Sequence, residues 1–223
     1  MPRRRAAPAS ALPRAHILDS SVGSGSRPFA SIDTRTNDRA AHRSALRARL
    51  LGAREAFARS PGLQAAEAAL GRALCEVLHR LEPECLGCYW PHRAEFNAAA
   101  AIAADAELRK VPLALPFARR SSHTLEYRRW DGGAPTVVDE CGLPSTDGSP
   151  LVPDVVLVPC VGYTGSGHRL GYGGGYFDRW LAEHPHVCAV GVAWSIARLD
   201  EEVLSPQPHD VPLALVVTEL GAS

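Results

Sequence analysis

Seven of the 19 glycines in this 223-residue chain fall between Gly162 and Gly175. They follow the apolar run Val155-Val156-Leu157-Val158 and precede Tyr176-Phe177-Asp178-Arg179-Trp180-Leu181. Strand, glycine loop, helix is an order that presents unpaired backbone N–H groups and a positive helix end to a phosphate. A tight turn that needs positive φ accounts for one or two glycines; Gly171-Tyr172-Gly173-Gly174-Gly175 exceeds that need. Arg169, just ahead of them, carries a planar fork suited to an anion. Asp178, in the first turn of the helix that follows, either complements the helix dipole or ligates Mg²⁺ beside bound phosphates. Arg43 and Arg47, at i and i+4, share a helix face, as phosphate clamps or as a solvated surface. Pro208-His209-Asp210 offers a second carboxylate, whose alternative is a turn Asp.

Several classes are excluded by what surrounds these residues. Lys110 is the only Lys among 24 basic residues, and it has no Gly before it and no Ser or Thr after it, so there is no Walker A loop. The dinucleotide fingerprint fails too, because after Gly171 and Gly173 its last position is Tyr176. The 24 basic residues balance 24 acidic ones, which leaves no field to attract nucleic acid or a membrane surface; an anion must be held by a local cluster. No apolar stretch is long enough to span a bilayer, and Arg3-Arg4-Arg5 is not followed by a secretory core, so a cytoplasmic location is expected. The six cysteines read as reduced core thiols, and Cys85-Leu86-Gly87-Cys88 lacks the second pair of a zinc site.

The elements that must position these groups alternate in type. Residues 1–35, rich in Pro, Ser, Gly and Arg, read as a disordered extension ahead of one catalytic domain over 36–223. A first helix is predicted from Thr36 or Asp38 to about Ser60, with Leu46, Leu50, Ala53 and Phe57 inward. Ser60-Pro61 then opens a second helix whose stripe is Leu63, Ala66, Leu70, Leu74, Val77, Leu78 and Leu81. Apolar runs at 86–90, 111–115 and 125–130 read as short strands, and 96–108 as an Ala-rich helix capped by Asn97. Residues 131–153 read as a long functional loop. The run at 155–158 has the pattern of a central strand buried on both faces, repeated at 187–192 and 214–218. The whole is α/β, a mostly parallel sheet covered by helices on both faces.

The segment from Val158-Pro159 through Arg169-Leu170-Gly171-Tyr172-Gly173-Gly174-Gly175-Tyr176-Phe177-Asp178-Arg179 resembles the signature of the 5-formyltetrahydrofolate cyclo-ligase (5,10-methenyltetrahydrofolate synthetase) family. Three more segments match it in order: Arg43-Ser44-Ala45-Leu46-Arg47, Tyr89-Trp90-Pro91-His92-Arg93-Ala94-Glu95-Phe96, and Pro208-His209-Asp210 through Val216-Val217-Thr218-Glu219. The resemblance covers about 40–220. It implies a Rossmann-like three-layer domain of the NagB/RpiA/CoA-transferase kind, and an ATP-dependent cyclisation of 5-formyltetrahydrofolate to 5,10-methenyltetrahydrofolate through a phosphorylated formyl group. By the same resemblance Arg43, Arg47 and Arg169 clamp the triphosphate, and the loop wraps it through Leu170, Gly171, Tyr172, Gly173, Gly174, Gly175, Tyr176 and Phe177. Asp178 and Asp210 hold Mg²⁺, and Arg169 and Tyr176 are the catalytic pair. Trp90 and Glu95 orient the pterin, with Tyr172 to Tyr176 completing the substrate contacts. ATP is the cosubstrate; no nucleic acid or membrane partner is implied, and a monomer is expected.

Four positions depart from the family pattern. Arg43 stands where Lys is usual and Gly174 where some members have Lys; Ala197 stands near a frequent Gln, and Ser145 where a Glu often precedes Pro. Two alternatives stay open on the residues alone: a non-catalytic binder of folate or nucleotide, and an isomerase that uses the same loop on a sugar phosphate.

Overall fold

The structure, a computed structural model, describes residues 34–223. The extension expected over 1–35 lies outside this span except for its last two residues, with which the first helix opens. In chain order the elements are α1 (Thr34–Phe57), α2 (Leu63–Leu81), β1 (Leu86–Gly87), α3 (Ala98–Ala104), a 3₁₀ turn (Leu108–Lys110), β2 (Leu113–Arg119), β3 (Thr124–Trp130), β4 (Val137–Val138), β5 (Pro144–Ser145), β6 (Pro150–Leu151), β7 (Val155–Pro159), β8 (Gly162–Tyr163), β9 (Arg169–Leu170), α4 (Tyr176–Glu183), β10 (Cys188–Val192), a second 3₁₀ turn (Ser195–Ala197), α5 (Glu201–Leu204), β11 (Leu215–Thr218) and β12 (Gly221–Ala222).

Eight strands form one sheet in the order β12-β11-β10-β7-β1-β2-β3-β6. The five central strands run parallel, and β3 and β12 join antiparallel at the sides. The continuous apolar run of β7 explains its place in the middle. Successive side chains of a strand point to opposite faces, so Val155 and Leu157 enter the cluster under α2 with Leu70, Leu74 and Leu78. Val156 and Val158 enter the opposite cluster, with Trp180 and Leu181 of α4. Each such side chain removed from water contributes about 1.5–3 kcal/mol, which is why a strand covered on one face only would not carry this pattern. The result is three layers: helices, sheet, helix.

α1 does something different. Its Leu46, Leu50 and Leu51 pack with Val161, Leu170, Leu199 and Leu204, residues of the loops that leave the carboxyl ends of the parallel strands. Gly162 permits this approach, since a Cβ there would lie 2.8 Å from Leu50 Cδ1 and 2.9 Å from Leu199 Cδ1. α1 therefore caps the end of the sheet where open α/β folds bind ligands.

Several boundaries differ from the sequence reading. α1 ends at Phe57, and α2 starts at Leu63 with Gly62 as its N-cap, not at Pro61. The Ala-rich helix is shorter than 96–108: Asn97 caps it as expected by accepting from Ala100 N, but it stops at Ala104. There Asp105 accepts from the N–H groups of Glu107 and Leu108 and starts the 3₁₀ turn instead. Of the run at 86–90 only Leu86–Gly87 is strand. β2 begins after Pro112 and continues through Pro116, opposite Tyr127; β1 reaches only to Ala114, so the N–H that Pro116 lacks has no ladder bond to make on that side. Residues 131–153 are not one loop, since β4 and β5 pair as a hairpin and β6 joins the main sheet. On α1 the inward position is Arg54, 4% exposed, while Ala53 faces out.

Candidate functional site

The β8–β9 hairpin that follows β7 carries the chain back to the glycine loop, and its geometry explains the glycines. Gly173 has φ +102 and Gly175 φ +64, values that a side chain disfavours. Arg47 Nε donates to the carbonyl of Gly171 at 2.7 Å and Arg179 Nη2 to that of Gly174 at 2.8 Å. In a trans peptide the N–H points opposite to the C=O, so these bonds turn the N–H groups of Tyr172 and Gly175 to the other side of the loop. Leu170 shows its side chain to the α1 cluster and gives its carbonyl to Val161 N. A Cβ on Gly174 would lie 2.6 Å from the Tyr176 ring; that ring fills the space a side chain at 174 would need. The Cys141 thiol donates to the Tyr176 hydroxyl at 3.2 Å, and Phe177 of α4 packs against the cluster between that helix and the sheet.

The charged groups around the loop are mostly spent in pairs. Arg43 lies 2.5 Å from Asp210, which also accepts from Gln207 N. Burial alone would raise the Asp210 carboxyl, but the bonds from Arg43 and Gln207 N and the nearby positive charges hold it below its ordinary value. Arg169, its side chain 4% exposed, donates to Asp178 at 2.7 Å and to the Val211 carbonyl at 2.6 Å, and Val211 N donates to the same Asp178 oxygen. Asp178 and the loop carrying Asp210 are thus tied together through Val211. Arg47 and Arg179 are the exceptions: among the described residues neither has a carboxylate within 4.0 Å, both donate to carbonyls of the loop, and the Arg47 pKa is lowered by burial first and then by Arg43.

Next to the loop is a small cavity lined by Arg54, Glu95, Phe96, Cys160, Val192, Ala193, Trp194, Ile196 and Ala197. Tyr172 joins it to the loop. Its hydroxyl accepts from Arg54 Nη2 at 2.5 Å and donates to Glu95 Oε1 at 2.7 Å, while His92 N donates to Glu95 Oε2 at 2.8 Å. The Glu95 side chain is 4% exposed, and burial raises its carboxyl despite the Tyr172 bond, the Arg54 charge and the His92 N–H. Trp90 is not in this cavity; it meets Trp130 edge-on at 6.2 Å. Trp194 takes the place expected of it. Ala197 does line the cavity, whereas Ser145 is fully buried and donates to the Pro116 carbonyl, a structural post. Arg54 and Trp194 were not singled out from the sequence. The signal for Arg54 was present: it lies seven residues after Arg47 and eleven after Arg43, on the same helical stripe. For Trp194 there was none beyond its place after a parallel strand.

The fold and the site define an α/β domain with a glycine-rich loop and an apolar, carboxylate-bearing cavity side by side at the carboxyl end of its parallel strands. The model of the 5-formyltetrahydrofolate cyclo-ligase family matches residues 39–219, and the chain belongs to that family. A 5-formyltetrahydrofolate cyclo-ligase of Mycolicibacterium smegmatis is 39% identical over 67 residues, 29% of this chain and 33% of that protein. One from Mycoplasma pneumoniae is 34% identical over 67 residues, 30% of this chain and 39% of that protein. The matched stretch thus spans well under half the length of these curated relatives. Among solved structures, a 5,10-methenyltetrahydrofolate synthetase from Mycoplasma pneumoniae superposes with TM-score 0.61 at 20% identity, over 79% of this chain and 98% of the other. The NMR structure of the Aquifex aeolicus 5,10-methenyltetrahydrofolate synthetase gives TM-score 0.63 at 24% identity, over 81% and 91%. At these identities the two structures establish the shared fold.

Proposed function

We propose that this protein is a 5-formyltetrahydrofolate cyclo-ligase, which uses ATP to close 5-formyltetrahydrofolate to 5,10-methenyltetrahydrofolate and releases ADP and phosphate. The observation that carries this is Tyr172: a residue of the glycine loop, hydrogen-bonded to the one buried carboxylate of the adjoining cavity. A phosphate on the loop and a substrate on Glu95 are thereby neighbours, which a phosphoryl transfer between them needs.

In this reading the pterin enters beside Trp194, with Glu95 accepting from its N–H donors and apolar walls covering its flat ring. Arg47 and the N–H groups of the loop seat the triphosphate. Arg43 and Arg169 lend charge from behind it, and Tyr176 holds the loop's path. The formyl oxygen, a poor leaving group, takes the terminal phosphoryl of ATP and ADP departs. The N10 amine then attacks the activated carbon, a C–N bond forms as the N10 proton passes to solvent, and the C–O bond breaks as phosphate leaves. Asp178 and Asp210 fit a hard cation, being oxygen donors joined through Val211. Among the described residues no three His, Cys, Asp or Glu side chains cluster as a metal site, so phosphate and water would complete the shell. Mg²⁺ held there would neutralise charge on the phosphates. The protein then acts as a cytoplasmic monomer on small molecules; among the described residues no helix is long and apolar enough to cross a membrane.

The test is to mix folded protein with 5-formyltetrahydrofolate, with and without MgATP, and follow the near-ultraviolet absorbance of the methenyl product and ADP release. Both should appear only with ATP. A folded protein that yields neither overturns the proposal.

A further inference from the structure

Arg54, 4% exposed, is as buried as the leucines beside it, and no role assigned above requires it. Its Nη1 is 3.6 Å from Glu95 Oε1 and its Nη2 donates to the Tyr172 hydroxyl. The guanidinium carbon lies 5.8 Å from the Tyr172 ring centre, and its Nε is buried with no partner. As a purely structural element this is a poor choice. Desolvating a guanidinium and a carboxylate offsets their attraction, the more so with one donor unspent, and an apolar residue of similar volume would pack as well. A charge kept there serves the carboxylate it faces.

We propose that Arg54 is a positioning residue for the pterin: directly and through the shared Tyr172 hydroxyl, it fixes Glu95 as an aimed carboxylate at the cavity, and so sets affinity for the folate without acting on the nucleotide. This rests on the cyclo-ligase reading for its ligand. The groups around Glu95 come from several elements. Arg54 belongs to α1 and Tyr172 to the glycine loop. Its own loop contributes His92 and Arg93, Tyr89 follows β1, and Cys160 follows β7. Burial raises the Tyr89 hydroxyl and the Cys160 thiol, the latter to about 12, so both stay neutral. The His92 imidazole is pushed down by burial first, then by Arg93 and Arg54. Arg54 is thus the cation that reaches the Glu95 carboxylate.

The experiment uses the full chain with Arg54→Leu and Arg54→Lys. In protein carrying ¹³C-labelled glutamate, with Glu95→Gln for assignment, the carboxyl titration of Glu95 should move up by about one pH unit in Arg54→Leu. In turnover the same variant should raise KM for 5-formyltetrahydrofolate by about tenfold and leave KM for ATP within about twofold. The acid limb of kcat/KM for the folate should move to higher pH, and Arg54→Lys should restore most of the limb. An unmoved Glu95 titration, or a KM for ATP that rises in step with that for folate, overturns the proposal. Should Arg54→Leu not fold, Arg54→Lys carries the test: folate KM raised several-fold with ATP KM unchanged supports it, and equal effects on both refute it. Failure of the wild type to make methenyl product would remove the folate, while the Glu95 titration would still decide whether Arg54 holds that carboxylate.

Discussion

Replacing Arg169 by Met keeps the aliphatic stem and removes a guanidinium that joins three segments. Its two terminal nitrogens bind Asp178 on α4 at 2.7 Å and the Val211 carbonyl at 2.6 Å from a position only 4% exposed. Breaking a buried pair from one side typically costs about 3–5 kcal/mol, because the remaining charge is stranded. Asp178 is 22% exposed, so water can reach it, and it keeps the Val211 N–H; the lower end, about 3 kcal/mol, is therefore expected. For a domain of this size that lowers Tm by about 6–12 °C. Adding Asp178→Asn removes the stranded charge, so the double variant should recover about 1–2 kcal/mol relative to the sum of the singles. Thermal melts by circular dichroism, with calorimetry, read both numbers. An Arg169→Met protein that melts within about 2 °C of wild type, or singles that add within about 0.5 kcal/mol, would refute the view that Arg169 is spent on joining α4 to the loop of Asp210.

Gly173→Ala places a Cβ at φ +102 and 3.3 Å from the Arg47 guanidinium; the strain, about 1–3 kcal/mol, should appear mainly as weaker ATP binding in calorimetry, and unchanged affinity would contradict the loop assignment. Burial holds the thiols of Cys88 and Cys160 at about 12, so iodoacetamide at neutral pH should spare both in the native protein; mass spectrometry that finds Cys88 labelled as fast as Cys141 would count against the packing. Asp210 is held below its ordinary 3.8 because its Arg43 and Gln207 bonds outweigh burial, and a depressed carboxylate stabilises above its unfolded pKa and loses that contribution as pH falls through the folded one. In urea titrations the deficit of Arg43→Met should therefore be constant above about pH 5 and shrink below about pH 4; a deficit independent of pH would remove the ion pair from the account.

The sequence by itself determined the class of fold and the place of the glycine loop. Continuous apolar runs at 155–158 and 188–192 can only be satisfied between two layers, and a glycine run between strand and helix has few uses besides close approach to phosphate. It also supplied four segments far apart in the chain that the fold brings to one end of the sheet. What the tertiary structure decided is which side chains face which. Ala53 looked like the inward residue of α1 because it is apolar, yet the helical phase that buries Leu46 and Leu50 also turns Arg54 inward, where Glu95 meets its charge. Trp90 stood beside Glu95 in sequence, but the turn through residues 91–95 sends it toward Trp130 and leaves the cavity wall to Trp194, a hundred residues later. The pairing of Arg43 with Asp210 was likewise invisible, because local sequence carries periodicity and turn chemistry, whereas an ion pair across 167 positions exists only once the sheet has set the distance between its elements.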